Sequence, residues 1–237
     1  MSALKEAMGI LEPFKRIAYF PQIEIVKSEF SAVSKFGGFP YLRHEDDWPI
    51  CPNCQKNQQL FLQLNLVDLP ERKGEGLIQL FYCTSNLGCE SSLGGYLPFS
   101  KVSTCRKIKI EGESAIIELE MDSVFEEKRI KDWEAKADYP HREEYLDLEI
   151  DLTDEQIEAI EEAEMMMTLH GDKLFGYPFW VQSVEYPQDS NTGETMQLLF
   201  QIDSDDNLPY MFGDMGIGHL TQSPSNAEVL GFGWACY

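Results

Sequence analysis

Four cysteines, Cys51, Cys54, Cys83 and Cys89, stand as Cys-x2-Cys, a gap of 28 residues, then Cys-x5-Cys. Thiolates are soft ligands, and four of them from two short loops make the tetrahedral, closed set of a structural zinc site. The intervening chain explains how the loops could meet. If residues 60–66 and 77–82 pair as a hairpin turning near residues 70–74, antiparallel register brings Cys54 level with the Cys83–Cys89 segment. Three other chemistries use the same residues. A disulfide framework suits an oxidising compartment. A redox Cys-x-x-Cys wants the pair at a helix N-terminus, whereas "QLFLQLNL" after Cys54 reads as a strand. Unligated buried thiols, which behave as small apolar side chains, are the plainest reading. Zinc is the expected cofactor.

A second candidate is the acidic stretch "DSDDNLPYMFGD". Asp203, Asp205, Asn207 and Asp214 follow the oxygen spacing of a calcium loop, but Leu208 stands where the sharp turn requires glycine. Asp203, Asp205 and Asp214 with the nearby His219 are the residues on which a metal-dependent hydrolase would be built. The other histidines, His44, His141 and His170, lie in separate segments. Neither a phosphate loop nor a dinucleotide fingerprint occurs.

The elements that position these residues are mostly short strands: "LFLQLNL", "GLIQLFYC", "RKIKIEG", "SAIIELEM" and "MQLLFQID", punctuated by Gly, Pro, Asn and Asp. "CRKIKIEGESAIIELEM" reads as a hairpin turning at "EGES". Apolar spacing predicts an amphipathic helix over residues 2–18, carrying Leu4, Met8, Leu11, Phe14 and Ile17. A second helix is expected over 154–169: Thr153 and Gln156 form a capping-box pair, Ile157, Ile160, Met165 and Met167 face inward, and Gly171 follows. Residues 125–149, dense in charge, read as a surface connection with a helical turn.

The most informative feature is an internal repeat. "KFGGFPY" from Lys35 aligns with "KLFGYPF" from Lys173, and "QLFLQLN" from Gln59 with "QLLFQID" from Gln197, both at an offset of 138. Six of the fourteen positions are identical, where unrelated sequence gives about one. "GLIQL" at Gly76 and "GIGHL" at Gly216 match at 140. Gly38 and Gly176 are expected at positive φ in the two Gly-Pro corners, beside Pro40 and Pro178. The second half has "DSNT" where the first has "CPNC", so a metal would belong to one half. Cys105 and Cys236 lack partners by spacing and are expected in the core. The fold class is therefore α+β and strand-rich, an internally duplicated β unit with a few peripheral helices. Its segments are a helix and lead-in (1–30), a first β repeat with the cysteines (31–105), a hairpin, acidic connection and helix (106–170), and a second β repeat (171–237), all in one compact domain.

Composition bounds the partners. Of 237 residues, 43% are apolar, ample for a core, and 41 acids against 19 bases give a formal charge of −22. Such a field repels nucleic acid and anionic lipid and favours a basic protein partner. The N-terminal segment lacks the apolar centre of a signal peptide, and no apolar run is long enough to span a bilayer, so a cytoplasmic location is expected.

"SKFGGFP", "WPICPNCQKNQQLFLQLNL", "RIKDWEAKADYP", "KLFGYPFWVQ", "LLFQIDSDD" and "MFGDMGIGHL", in that order from about Ser31 to Tyr237, resemble the YwqG family of uncharacterised, mainly bacterial proteins. The cysteine-bearing half is more distantly similar to programmed cell death protein 2 and its yeast relative. The resemblance implies a duplicated, strand-rich α+β fold without an established catalytic activity. The eukaryotic relatives chaperone a basic ribosomal protein. Many YwqG-like sequences lack the cysteine set, so the resemblance itself does not imply metal binding. The functional expectation is a non-catalytic protein-binding module, chaperone-like or an immunity protein for a basic partner. Its alternatives are the hydrolase above and a regulatory protein holding a small ligand between the repeats.

Overall fold

The computed structural model describes residues 2–27, 29–43, 48–71, 74–85, 87–116, 124–163, 167–204 and 206–237. The strands are β1 (Arg16–Ile25), β2 (Lys35–Phe36), β3 (Gln59–Asn65), β4 (Leu77–Tyr82), β5 (Ser103–Ile108), β6 (Lys128–Asp138), β7 (Lys173–Phe175), β8 (Gln197–Asp203), β9 (Ile217–Gln222) and β10 (Leu230–Ala235). The helices are α1 (Ala3–Leu11), α2 (Cys89–Leu93) and α3 (Asp154–Glu162). All named strands lie in one 10-stranded sheet, order β10-β9-β8-β7-β1-β6-β2-β3-β4-β5, and each pairing is antiparallel. The class is α+β and strand-dominated.

That order is a palindrome about the β1–β6 pair. Outward from β6 run β2, β3, β4 and β5; outward from β1 run β7, β8, β9 and β10. The repeated segments fall on equivalent strands, β2 with β7, β3 with β8 and β4 with β9. The outer strands β5 and β10 then touch, curling the sheet into a nearly closed, barrel-like form. Closure buries β3 and β4 on both faces, which is why they read as near-continuous apolar runs. Phe61 and Tyr82 from the first half pack on Tyr210, Phe212 and Phe232 from the second, so the two halves share one aromatic core.

Each half hides one ion pair. Lys35 Nζ donates to Glu127 Oε2 at 2.8 Å and Lys173 Nζ to Asp138 Oδ2 at 2.8 Å, with all four side chains 0% exposed. Gly38 and Gly176 sit over these carboxylates with φ of 71° and 75°. A Cβ at Gly38 would stand 2.6 Å from Glu127 Oε2, and one at Gly176 would strike Asp138 Oδ2. The corner glycines thus serve both the positive φ and the close approach.

Several sequence expectations are corrected. The first helix ends at Leu11, because Pro13 enters a 3-10 turn (Glu12–Phe14) and the chain continues as β1. Ile17 is therefore on a strand. The second helix keeps its Thr153–Gln156 capping box but stops at Glu162; Met165 lies outside the described residues. Residues 125–149 are not a surface connection. They contain β6, which pairs β1 along its length and also β2, followed by a 3-10 turn at Arg142–Glu144. Its charged residues misled because Ile130 and Trp133 alone pack on the core while most neighbours stay half-buried or exposed. The expected hairpin after Cys105 does not appear among the described residues. Its first arm, β5, pairs with β4, and Ala115 N–H bonds Leu42 O at 2.8 Å outside any strand; residues 117–121 lie outside the described ones. Cys105 and Cys236 are half-buried, Cys105 against the core and Cys236 against Gly213.

Candidate functional site

The knuckle after Trp48 is a tight turn. Cys51 N–H donates to Lys56 O at 2.8 Å and Gln55 N–H to Cys51 O at 2.9 Å, with Gln55 at φ 60°. Cys83 ends β4, its N–H on Val102 O at 2.9 Å. Cys89 opens α2 after Gly88, whose φ of 70° turns the chain inward. The four ligand sulfurs of Cys51, Cys54, Cys83 and Cys89 all lie within 4.8 Å of one another, and Cys54 Sγ is 3.6 Å from Cys83 Sγ. All six cysteines are free thiols.

The electrostatics suit a cation. Burial raises the thiols of Cys83 and Cys89 above their ordinary range. Burial also opposes ionisation of Cys54, but the Lys56 N–H and the surrounding S–H and Ser85 groups outweigh it and bring its pKa to about 7. The Cys54 thiolate forms readily, and those of Cys83 and Cys89 need a positive centre. The donor set fits a soft tetrahedral ion. Zinc–sulfur bonds of about 2.3 Å imply sulfur–sulfur edges of about 3.8 Å, so the cluster, spread to 4.8 Å, must contract on binding.

The other half contains the same turn without the thiols. Asp189 N–H donates to Glu194 O at 2.9 Å and Gly193 N–H to Asp189 O at 2.7 Å, with Gly193 at φ 74°. Asp189 thus stands where Cys51 does. Ser223 N–H bonds Val229 O at 3.0 Å at the end of β9, the place of Cys83. The Asn191 N–H, then the Ser223 hydroxyl, hold the Asp189 carboxyl below the usual range. A carboxylate, its Oδ1 accepting from Asn191 N–H at 2.8 Å, occupies the position of Cys51.

Among the described residues the acidic candidates do not share a hydrogen bond. Asp203 accepts from Gly171 N at 2.9 Å and Ser204 N at 2.9 Å. Asp214 is exposed, and Asp205 lies outside the described residues. His219 is 9% exposed on β9, with its ring 5.0 Å from that of Trp180. Burial, then nearby Lys173, lowers its pKa to about 3, against a hydrogen bond to the Phe179 carbonyl. A neutral imidazole so hard to protonate is a poor general base near neutrality. His141 and His170 both contact the ring of Phe179; His44 lies outside the described residues.

Residues 34–236 match the family described as a domain of unknown function, DUF1963. The chain belongs to this family. No curated protein matches it. Among the described residues of this DUF1963 chain, no helix is long and apolar enough to cross a membrane.

Sequence reasoning missed two features of the DUF1963 fold. The buried Lys35–Glu127 and Lys173–Asp138 pairs were signalled by lysines conserved in type at the head of both repeats. The second is a cleft where the halves meet, between Tyr96, Trp180, Glu185, His219 and Trp234. Only His219 drew notice, and its partners are distant in sequence.

Proposed function

We propose that this chain is a non-catalytic protein-binding module for a basic partner, with a structural zinc in the thiol centre fixing the loop of its first half. The observation that carries the reading is charge. Glu127 and Asp138, the acids of the core pairs, are cancelled by Lys35 and Lys173, so the formal −22 is carried by the rest of the molecule. A field of that sign accelerates encounter with basic proteins and is screened by salt. Resemblance to the YwqG group, and through it to chaperones of a basic ribosomal protein, agrees with a client-shielding or toxin-neutralising role.

The zinc reading is supported by the closed sulfur set and by the equivalent turn, where Asp189 Oδ1 accepts from Asn191 N–H at 2.8 Å. A metal doing the work of a hydrogen bond is structural. Co-isolation of the tagged full chain from cytosol at about 50 mM and about 500 mM salt tests the partner. A basic protein recovered in stoichiometric amount at low salt and released at high salt is expected; a chain that elutes alone in both overturns the reading.

A further inference from the structure

The two halves share a row of residues across the sheet. In the first half, Lys35, Gln63, Gln79 and Arg106 stand side by side on β2, β3, β4 and β5. In the second, Lys173, Gln201, His219 and Gly233 do so on β7, β8, β9 and β10. The glutamines of the two rows make the same hydrogen bond. Gln63 Oε1 accepts from Tyr41 N at 2.9 Å, as Gln201 Oε1 accepts from Phe179 N at 2.8 Å. Gln79 donates to Tyr41 O at 2.7 Å, and His219 takes the place of Gln79 on β9, paired with Gln201 as Gln79 is with Gln63.

The correspondence ends at the fourth residue. Arg106 Nε donates to Gln79 Oε1 at 2.9 Å, with its guanidinium 5.1 Å from the Phe81 ring centroid. Gly233 brings no side chain to the equivalent place. A Cβ there would meet Tyr96 O at 2.9 Å and Pro98 at 3.1 Å, so the glycine lets the Tyr96–Pro98 segment cross β10. His219 Nε2 is buried and has no hydrogen-bond partner among the described residues. Burial keeps the imidazole neutral, so one ring nitrogen carries a lone pair, and we take it to be the unpartnered Nε2 of this lining residue.

The walls beside it favour a cation. Trp180 Nε1 is tied to Glu144 Oε1 at 2.9 Å, and Trp234 Nε1 to the Tyr82 hydroxyl at 2.9 Å, itself on Glu90 at 2.8 Å. Both indoles line the cleft with their N–H groups already engaged, so what they offer a ligand is π surface. Tyr96 stands edge-on to Trp234, and exposed Glu185 lies on the rim. The competing charge behind His219, Lys173, is spent on Asp138 at 2.8 Å. The cavity measures about 30 Å³, far below the ~300–1,000 Å³ of small-molecule sites. It takes the tip of one side chain and excludes a nucleotide.

We infer that this slot binds the guanidinium of an arginine presented by a partner protein, which donates to His219 Nε2 as Arg106 donates to Gln79, stacks between Trp180 and Trp234, and pairs with Glu185. This deepens the basic-partner reading and rests on it for the identity of the donor. The first half thus holds internally the contact that the second half offers outward.

The test uses the full chain and N-acetyl-arginine methylamide, with its neutral isostere N-acetyl-citrulline methylamide and the lysine analogue, read by tryptophan fluorescence and by the ¹⁵N shift of His219. Saturable binding of the arginine compound is expected, weakened about tenfold or more by Glu185→Gln or by loss of the charge in citrulline. His219→Gln, which restores the first half's acceptor, retains binding, and His219→Leu loses it. Absence of a saturable shift, equal response to citrulline, or indifference to Glu185→Gln overturns the slot; equal binding of lysine overturns the guanidinium assignment. An arginine-rich peptide titrated at low salt separates the two levels. Peptide binding unchanged by Glu185→Gln and His219→Leu keeps the basic partner and sinks the slot, whereas a slot that binds the small compound while the peptide fails keeps the slot and sinks the partner.

Discussion

Cys51 and Asp189 occupy one position in two copies of the same turn: the N–H of each bonds the carbonyl five residues on, at 2.8 Å and 2.9 Å. In one copy the buried group at that place gathers three further thiols, and in the other it is a carboxylate whose Oδ1 accepts from Asn191 N–H at 2.8 Å. A duplicated unit has closed the same loop by two chemistries.

Removing the thiols therefore weakens one half. The Cys51→Ser, Cys54→Ser variant, or chelation of the wild type, is expected to lower stability by about 3 kcal/mol, well under the ~10–16 kcal/mol of peptides that fold only on zinc, since the sheet persists. Urea unfolding checks this, and hydrogen exchange should localise the loss to the 51–56 and 83–93 segments.

The buried pairs are expected to be costly to break. Lys173→Met leaves Asp138 as an uncompensated interior charge and should destabilise by about 3–5 kcal/mol, whereas Lys35→Met should cost less, because Glu127 keeps Arg129 Nε at 2.9 Å. Adding Asp138→Leu to Lys173→Met will not rescue it. Asp138 also accepts from Leu169 N at 2.9 Å and Tyr177 N at 2.8 Å, and those donors would lose their partner. Denaturation midpoints of the single and double variants decide the point.

His219 gives a pH signature. Its folded pKa of about 3 lies below the ordinary 6.5, so between these values the unfolded chain binds a proton that the folded chain refuses. Stability from this group is whole above about pH 6.5 and is lost on acidification toward pH 3, at no more than about 1.4 kcal/mol per unit. His219→Gln should flatten that part of the curve, because Gln79 fills the equivalent position in the first half. Unfolding followed from pH 7 to pH 4 in both proteins measures the difference.

The duplication was legible because the lysine, glycine, proline and glutamine of each repeat make equivalent contacts: ion pair, corner and Tyr41 or Phe179 amide. The convergence of the cysteines was legible from hairpin register. The central β1–β6 pair was not. β1 carries Pro21 within it, next to the register shift at Gln22/Ile23, and β6 alternates charges that a half-exposed strand tolerates. The cleft at His219 escaped because Tyr96 and Trp234 meet only when the curled sheet brings β5 and β10 together.

Native mass spectrometry of the full chain, purified under reducing conditions without chelator, tests the metal clamp most directly. One zinc per chain, absent from the Cys51→Ser, Cys54→Ser variant, is the expected result. A wild-type chain carrying no metal after incubation with zinc at neutral pH would contradict it and leave four buried thiols as packing.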